Sequence, residues 1–309
     1  MTPLYDIRHP AFHALIQHNV GLKQLSSGHM WTEGPVWVPA HQCLYFSDIP
    51  NQSILRWTPD GAVTALRRNS NFTNGNTLDR QGRLVSCQHG TRTVVRTQTD
   101  GSIKTLADHY EGKRLNSPND VVVKSDGAIW FTDPTYGIMG NYEGYRSVPE
   151  QEARNVFRLD VETGTLTSVV GDFLQPNGLA FSPDESILYV ADSGTHTDGT
   201  APATIRAFDV VGGVALTNSR VFATIEPGVP DGIRVDFHGN LWTSSADSVQ
   251  CFNPQGMLLG RILVPEVVSN LAFGGPRNTH LFITATTSLY AIHVNTEAAI
   301  CSYRSTHLI

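Results

Sequence analysis

Six positions in this chain carry oxygen-bearing side chains at one recurring offset: Glu33, Asn74, Asn119, Asn177, Asp231 and Ser269. Carboxylates and amides are hard oxygen donors, and such a set suits a divalent cation, calcium foremost, with magnesium, manganese and zinc as alternatives. Two carboxylates brought face to face repel unless a cation or a proton lies between them. Taken singly, each residue has an ordinary explanation. A carboxylate such as Glu33 can cap a strand, and Asn or Asp before Gly or Asp is common turn chemistry. Turn chemistry gives no reason for two carboxylates and three amides to share one offset, so the set reads as a metal site.

The offset is defined by a repeated phrase. A polar lead-in, a short apolar strand, a tight turn and a second strand recur six times, most clearly in QPNGLAFSPDESILYVAD (175–192). Pro118-Asn119-Asp120 and Pro230-Asp231-Gly232 open two further copies, and Glu33-Gly34-Pro35, Asn74-Gly75-Asn76 and Ser269-Asn270 open the rest. Apolar runs this short, cut by Pro, Gly and Asp, form hairpin strands rather than helices. The column positions are spaced 41, 45, 58, 54 and 38 residues apart. A repeat of that length built from short strands predicts an all-β, six-bladed β-propeller, one four-stranded blade per copy. The first strand of each blade lines the central channel, so the six column residues converge at one point on its axis.

The copies extend over nearly the whole chain, which predicts one propeller domain across 1–309, with an N-terminal arm at 1–19 and blades over 20–309. Residues 10–18 read as a short helix with Pro10 at its first position. The strand-like stretch 20–26 precedes the first blade and is placed to complete the last one, leaving no open sheet edge. His9, His13 and His18 have no carboxylate or cysteine partner nearby and read as surface or packing residues. A net charge of −6 without a Lys/Arg run argues against nucleic acid. No apolar run reaches the length of a membrane helix, and the N-terminus lacks the basic flank and apolar core of a secretory signal. Cys43, Cys87, Cys251 and Cys301 show no C-x-x-C spacing, and three of them lie in apolar strands as buried thiols, so a cytoplasmic protein is expected. Composition leaves the oligomeric state open between monomer and dimer.

Two second-to-third strand loops are long: PTYGIMGNYEGYRSVPEQEAR in blade three and SGTHTDGTAPA in blade four. In a propeller these loops share a face with the start of the first strands, so 134–154 and 193–203 are expected to wall the mouth where the column sits. Tyr136 and His196 are the residues placed to reach a substrate, with His89 beside them. A second column, Asp48, Gln88, Asp133, Asp192, Ser245 and Ala285, ends the second strands and reads as capping of strand ends and turns. Nucleophile-elbow, zinc-protease and nucleotide-loop motifs are absent from the sequence.

The stretches WTEGPVW, RLNSPNDVVVKSDGAIWFTDPTYG, QPNGLAFSPDESILYVADS and PDGIRVDFHGNLW resemble the gluconolactonase/regucalcin-like group of six-bladed propellers, and more distantly diisopropylfluorophosphatase. The opening HPAFHALIQ…LKQLSSGHMWTEGPVW is similar to that of bacterial sugar lactonases. The resemblance implies a divalent metal held by Glu33, Asn177 and Asp231, with Asn119 near both metal and substrate. Animal relatives carry an Arg where this chain has Ser117, so that contact does not carry over. The expected function is metal-dependent hydrolysis of a sugar lactone to the open acid. Asp231 is then either the general base for the attacking water or a ligand only. Asn119, Asn74, His89, Tyr136 and His196 are the candidate substrate contacts. An organophosphate hydrolase of the same fold is the rival enzyme, since the same polarising site suits a P=O bond. A non-catalytic propeller with a structural ion is the rival outside enzymology, and it would wrap the ion fully where a catalyst leaves positions open.

Overall fold

The structure is a computed structural model that describes residues 3–196 and 198–299. Six antiparallel sheets of four or five strands are arranged as the blades of a β-propeller. Their innermost strands are Thr32–Val38, Thr73–Leu78, Val121–Val123, Pro176–Phe181, Ile233–Val235 and Val268–Gly274. Within each blade the chain runs outward strand by strand, as short alternating segments separated by Gly, Asp and Pro turns require.

The apolar faces of the strands make six separate cores, one at each interface between neighbouring blades. Trp130 and Phe181 meet between blades three and four, while Trp37 stacks on Phe282 where blade one meets blade six. Cys43, Cys87 and Cys251 are buried thiols within three of these cores; Cys301 lies outside the described residues.

The ring is closed by Lys23–Ser26, which pairs antiparallel with Ser288–His293 as the outer strand of blade six. The strand expected at 20–26 therefore does close the last blade. The N-terminal arm adds an unanticipated strand, Tyr5–Ile7, to the edge of blade five. The helix expected over 10–18 is reduced to a 3-10 turn, Pro10–Ala14, capped by His9. Burial of Phe12, Leu15 and Ile16 against blades five and six decides this: Phe12 packs on Trp242, and Ile16 bridges to Val294. His13 and His18 hydrogen-bond each other on the surface. No described helix is long and apolar enough to cross a membrane.

Candidate active site

The residue that follows each column position decides how near the next blade can come. In four blades it is glycine: Gly34, Gly75, Gly178 and Gly232. The Gly178 amide donates to the Asp231 carbonyl at 3.1 Å, and a Cβ on Gly178 would lie 2.1 Å from that oxygen. Gly75 likewise donates to the Asn119 carbonyl at 2.8 Å, and Gly232 to that of Ser269 at 2.8 Å. These bonds stitch neighbouring inner strands together at the level of the column. The column side chains are thereby gathered at one mouth of the channel, Glu33, Asn74, Asn177 and Ser269 from within inner strands and Asn119 and Asp231 from two residues before theirs.

Blades three and six replace that glycine with Asp120 and Asn270, and both side chains enter the space the glycines leave open. Asn270 Nδ2 donates to Glu33 Oε2 at 2.9 Å, with its own Oδ1 held by the Leu271 amide at 2.8 Å. Asp120 lies 3.5 Å from Arg234 Nη1, inside the channel. A second polar layer thus sits directly beneath the column.

Charge is concentrated here. Burial first, and then Asp120 and Glu143, push the Glu33 carboxyl up to about 8, against hydrogen bonds from Asn270 and the Gly34 amide. Asp231 is held well above the usual carboxylate range by burial, then by Glu33, Asp120 and Glu143. Asp120 is also raised by burial, against the neighbouring Arg234 guanidinium. Four carboxyl groups therefore share one mouth with one close cationic side chain, an arrangement that favours uptake of a proton or a cation.

The amide oxygens are left open for a ligand, that of Asn177 fitting a cation. Ser193 Oγ donates to the Pro230 carbonyl, so its lone pair accepts from Asn177 Nδ2 at 3.1 Å. This turns Asn177 Oδ1 away from the scaffold, where it is buried without a hydrogen-bond donor. Asn74 Oδ1 is buried without a donor as well. A buried acceptor left unmatched is costly unless a ligand completes it. Among the described residues no three His, Cys, Asp or Glu side chains form a metal cluster by themselves, so amide oxygens are integral to any such site. Glu33 is only 2 % exposed, whereas Asp231 is partly open to solvent.

The blade-three loop crosses the mouth. Tyr136, in the short helix Tyr136–Met139, donates through its hydroxyl to the Ser193 carbonyl of blade four at 3.2 Å. Its phenol is raised by burial and then by Asp231. Further along, Tyr142 reaches the Met30 carbonyl at 3.3 Å, and Glu143, the next residue, is pushed up to about 7 by burial. The loop is therefore a lid spanning from blade four to blade one. Neither Glu143, Asp120, Asn270 nor Arg234 was expected from the sequence.

The sequence-derived candidates fall into three groups. Glu33, Asn74, Asn119, Asn177 and Asp231 share the mouth, and Tyr136 lies over Asp231. His89 is fully buried and stands behind Asn74, under the lid, instead of facing the mouth. His196 ends a 3-10 turn, Gly194–His196, in the blade-four loop; its side chain lies outside the described residues.

Comparison with known proteins adds to this geometry. The family model described as the SMP-30/gluconolactonase/LRE-like region matches residues 31–287. A gluconolactonase of Zymomonas mobilis is 32% identical over 93% of this chain and 85% of its own length. A pentonolactonase of Haloferax volcanii is 30% identical over 82% of this chain and 80% of its own. A gluconolactonase from Xanthomonas campestris of known structure superposes with a TM-score of 0.89, at 40% identity over 94% of this chain and 95% of that one.

Proposed function

We propose that this chain, which belongs to the SMP-30/gluconolactonase/LRE-like family, is a lactonase that opens the ring ester of a sugar lactone to the free sugar acid. Glu33, Asn119, Asn177 and Asp231 would hold a divalent cation, calcium being the best match to an all-oxygen set. The observation that carries the reading is Asn177 Oδ1, an oriented buried acceptor with no donor, beside two buried carboxyls that are both raised, Glu33 by burial and then Asp120, Asp231 by burial and then Glu33. A bound cation supplies Lewis-acid polarisation of the lactone carbonyl, worth several kcal/mol of transition-state charge stabilisation.

The two carboxylates then divide their roles by access. Glu33 is enclosed and tethered by Asn270, which suits a ligand. Asp231 is less enclosed and keeps partial solvent access at the mouth, which suits a general base that takes the proton from the attacking water. The water oxygen bonds to the carbonyl carbon, the ring C–O bond breaks, and the proton held on Asp231 passes to the departing alkoxide. Tyr136 and the Asn119 amide border the space where the sugar hydroxyls would lie.

A pH-indicator screen of sugar lactones and a phosphotriester, with and without EDTA, tests the reading. Acid release from an aldonolactone, abolished by EDTA and restored by Ca²⁺, is the expected result. Turnover of the phosphotriester alone would replace lactone with phosphoester chemistry, and no turnover of either class would leave a binding protein.

A further inference from the structure

His89 belongs to neither the column nor the mouth, yet it touches both the column and the lid. It follows the second strand of blade two, Leu84–Gln88, and its ring is fully enclosed. Nδ1 lies 3.0 Å from the carbonyl oxygen of Glu143 in the lid, and Nε2 lies 3.4 Å from Asn74 Nδ2. A carbonyl oxygen only accepts, so Nδ1 must carry the ring proton. The ring is enclosed and its Nε2 faces the NH₂ donor of Asn74, which calls for the neutral form. Nε2 is therefore a bare acceptor, and it can satisfy only the NH₂ end of Asn74. The Asn74 amide is thus locked with Oδ1 facing away from His89, and that oxygen is the buried acceptor without a donor noted above.

The ring has little room to turn. A Cβ on Gly137, in the lid helix, would lie 2.4 Å from His89 Cβ, and one on Gly144 would lie 2.0 Å from the Gly137 carbonyl. The two lid glycines fold the Tyr136–Gly144 segment onto the imidazole, and Tyr145 packs edge-on against Phe72, a further contact from the lid to blade two. One tautomer of one buried ring thus ties the lid backbone to the orientation of a column amide.

We propose that His89 is a positioning residue: through its Nδ1-protonated tautomer it presents the Asn74 amide oxygen to a hydroxyl of the polyol substrate, and only while the lid is seated on Nδ1. Asn74 is the substrate contact, and His89 acts through it. The proposal rests on the lactonase reading for what Asn74 meets, and not for the clamp itself.

Two substitutions separate the two arms. An Asn side chain puts its NH₂ near the place of Nδ1, and a Gln side chain puts its amide oxygen near that of Nε2. His89→Gln keeps the acceptor that orients Asn74, whereas His89→Asn keeps the donor to the lid and loses that acceptor. With Ca²⁺ saturating, His89→Asn is expected to raise KM about tenfold, as for one lost hydrogen bond to substrate, with kcat little changed. Calorimetric affinity for gluconate should fall by a similar factor while Ca²⁺ affinity holds. His89→Gln should recover most of the loss, and Asn74→Ala/His89→Asn should be no worse than Asn74→Ala. Equal damage from both substitutions, or greater damage from Gln than from Asn, would overturn the proposal in favour of packing or of lid anchoring. ¹⁵N NMR of the parent reads the clamp without any substrate: Nδ1 must carry the proton and Nε2 must be bare. The opposite tautomer sinks the proposal even if lactonase activity is found. The expected tautomer in a chain that hydrolyses no lactone keeps the clamp and removes only the substrate it serves.

Discussion

Two columns of polar residues, one strand apart, run around this propeller and have opposite fates. The first holds Glu33, Asn74, Asn119, Asn177 and Asp231; the second ends the second strands and holds Asp48, Asp133 and Asp192. The second column is spent on the protein's own backbone. Asp192 accepts from the amides of Leu174, Gln175 and Gly194 at 3.1, 2.9 and 3.0 Å. Asp48 accepts from Met30, Trp31 and Asn51; burial pushes its carboxyl upward, but these donors and His29 hold it below the usual range. The second column thus fixes both the following turn and the lead-in to the first strand of its own blade. In the first column, Asn177 and Asn74 keep bare oxygens and the carboxylates repel. Residue type does not separate the two columns; completion of their hydrogen bonds does. Asp133 stands between the two. The Asn116 amide donates to one of its oxygens at 2.8 Å, and burial pushes its carboxyl up to about 7 against the Asn116 and Ser117 amides.

The sharpest test of this contrast exchanges Asp for Asn in the first column. On the proposed mechanism, Asp231→Asn keeps an oxygen for the metal and removes the base, so turnover should drop about 10²–10⁴-fold at saturating metal, with the fold intact by circular dichroism. Near-parent turnover at full, directly measured occupancy would leave Asp231 a ligand only. Asn177→Ala comes next: Ca²⁺ affinity should fall roughly tenfold, the equivalent of one net interaction, and turnover should return at high Ca²⁺. Loss that no metal concentration recovers would remove Asn177 from the ligand set.

In the second column the expected damage is to stability. Asp192→Ala strands buried amides and should cost about 1–3 kcal/mol in urea denaturation, with turnover per folded molecule close to the parent. A silent effect on stability with a large one on turnover would invert the comparison. The smallest effect is a slope. Glu33 rises from 4.5 to about 8 on folding, so the metal-free folded state holds a proton that the unfolded state releases. Stability should therefore fall as pH rises through that window. Glu33→Gln should flatten the slope, and excess Ca²⁺ should offset it at the alkaline end. A metal-free melting temperature that rises over the same window would contradict it.

The sequence carried the column because a Pro-Asn-Gly or Pro-Asp-Gly phrase repeats with the blade, and the closing strand because an alternating segment precedes the first blade. It did not carry the layer beneath. Asp120 and Asn270 occupy the offset that is glycine in Gly34, Gly75, Gly178 and Gly232, and that break in the pattern was the available signal. Glu143 left no such trace, because its place depends on how an irregular loop folds over His89. The helix expected at 10–18 failed for a tertiary reason, since its apolar residues gain more from blades five and six than from helical hydrogen bonds.

The pairing of Lys23–Ser26 with Ser288–His293 sets a schedule for synthesis. A chain growing from its N-terminus must carry an unpaired strand through five finished blades before its partner is translated. The mouth follows the same clock, since Glu33 comes from the first blade and its Asn270 tether from the last. A ribosome stalled before the sixth blade would display an unzipped stack whose oxygen ring is missing a side. On the proposed reading, an ion or sugar added then would find Glu33 without its Asn270 tether, so ligand binding would report closure of the ring rather than guide it.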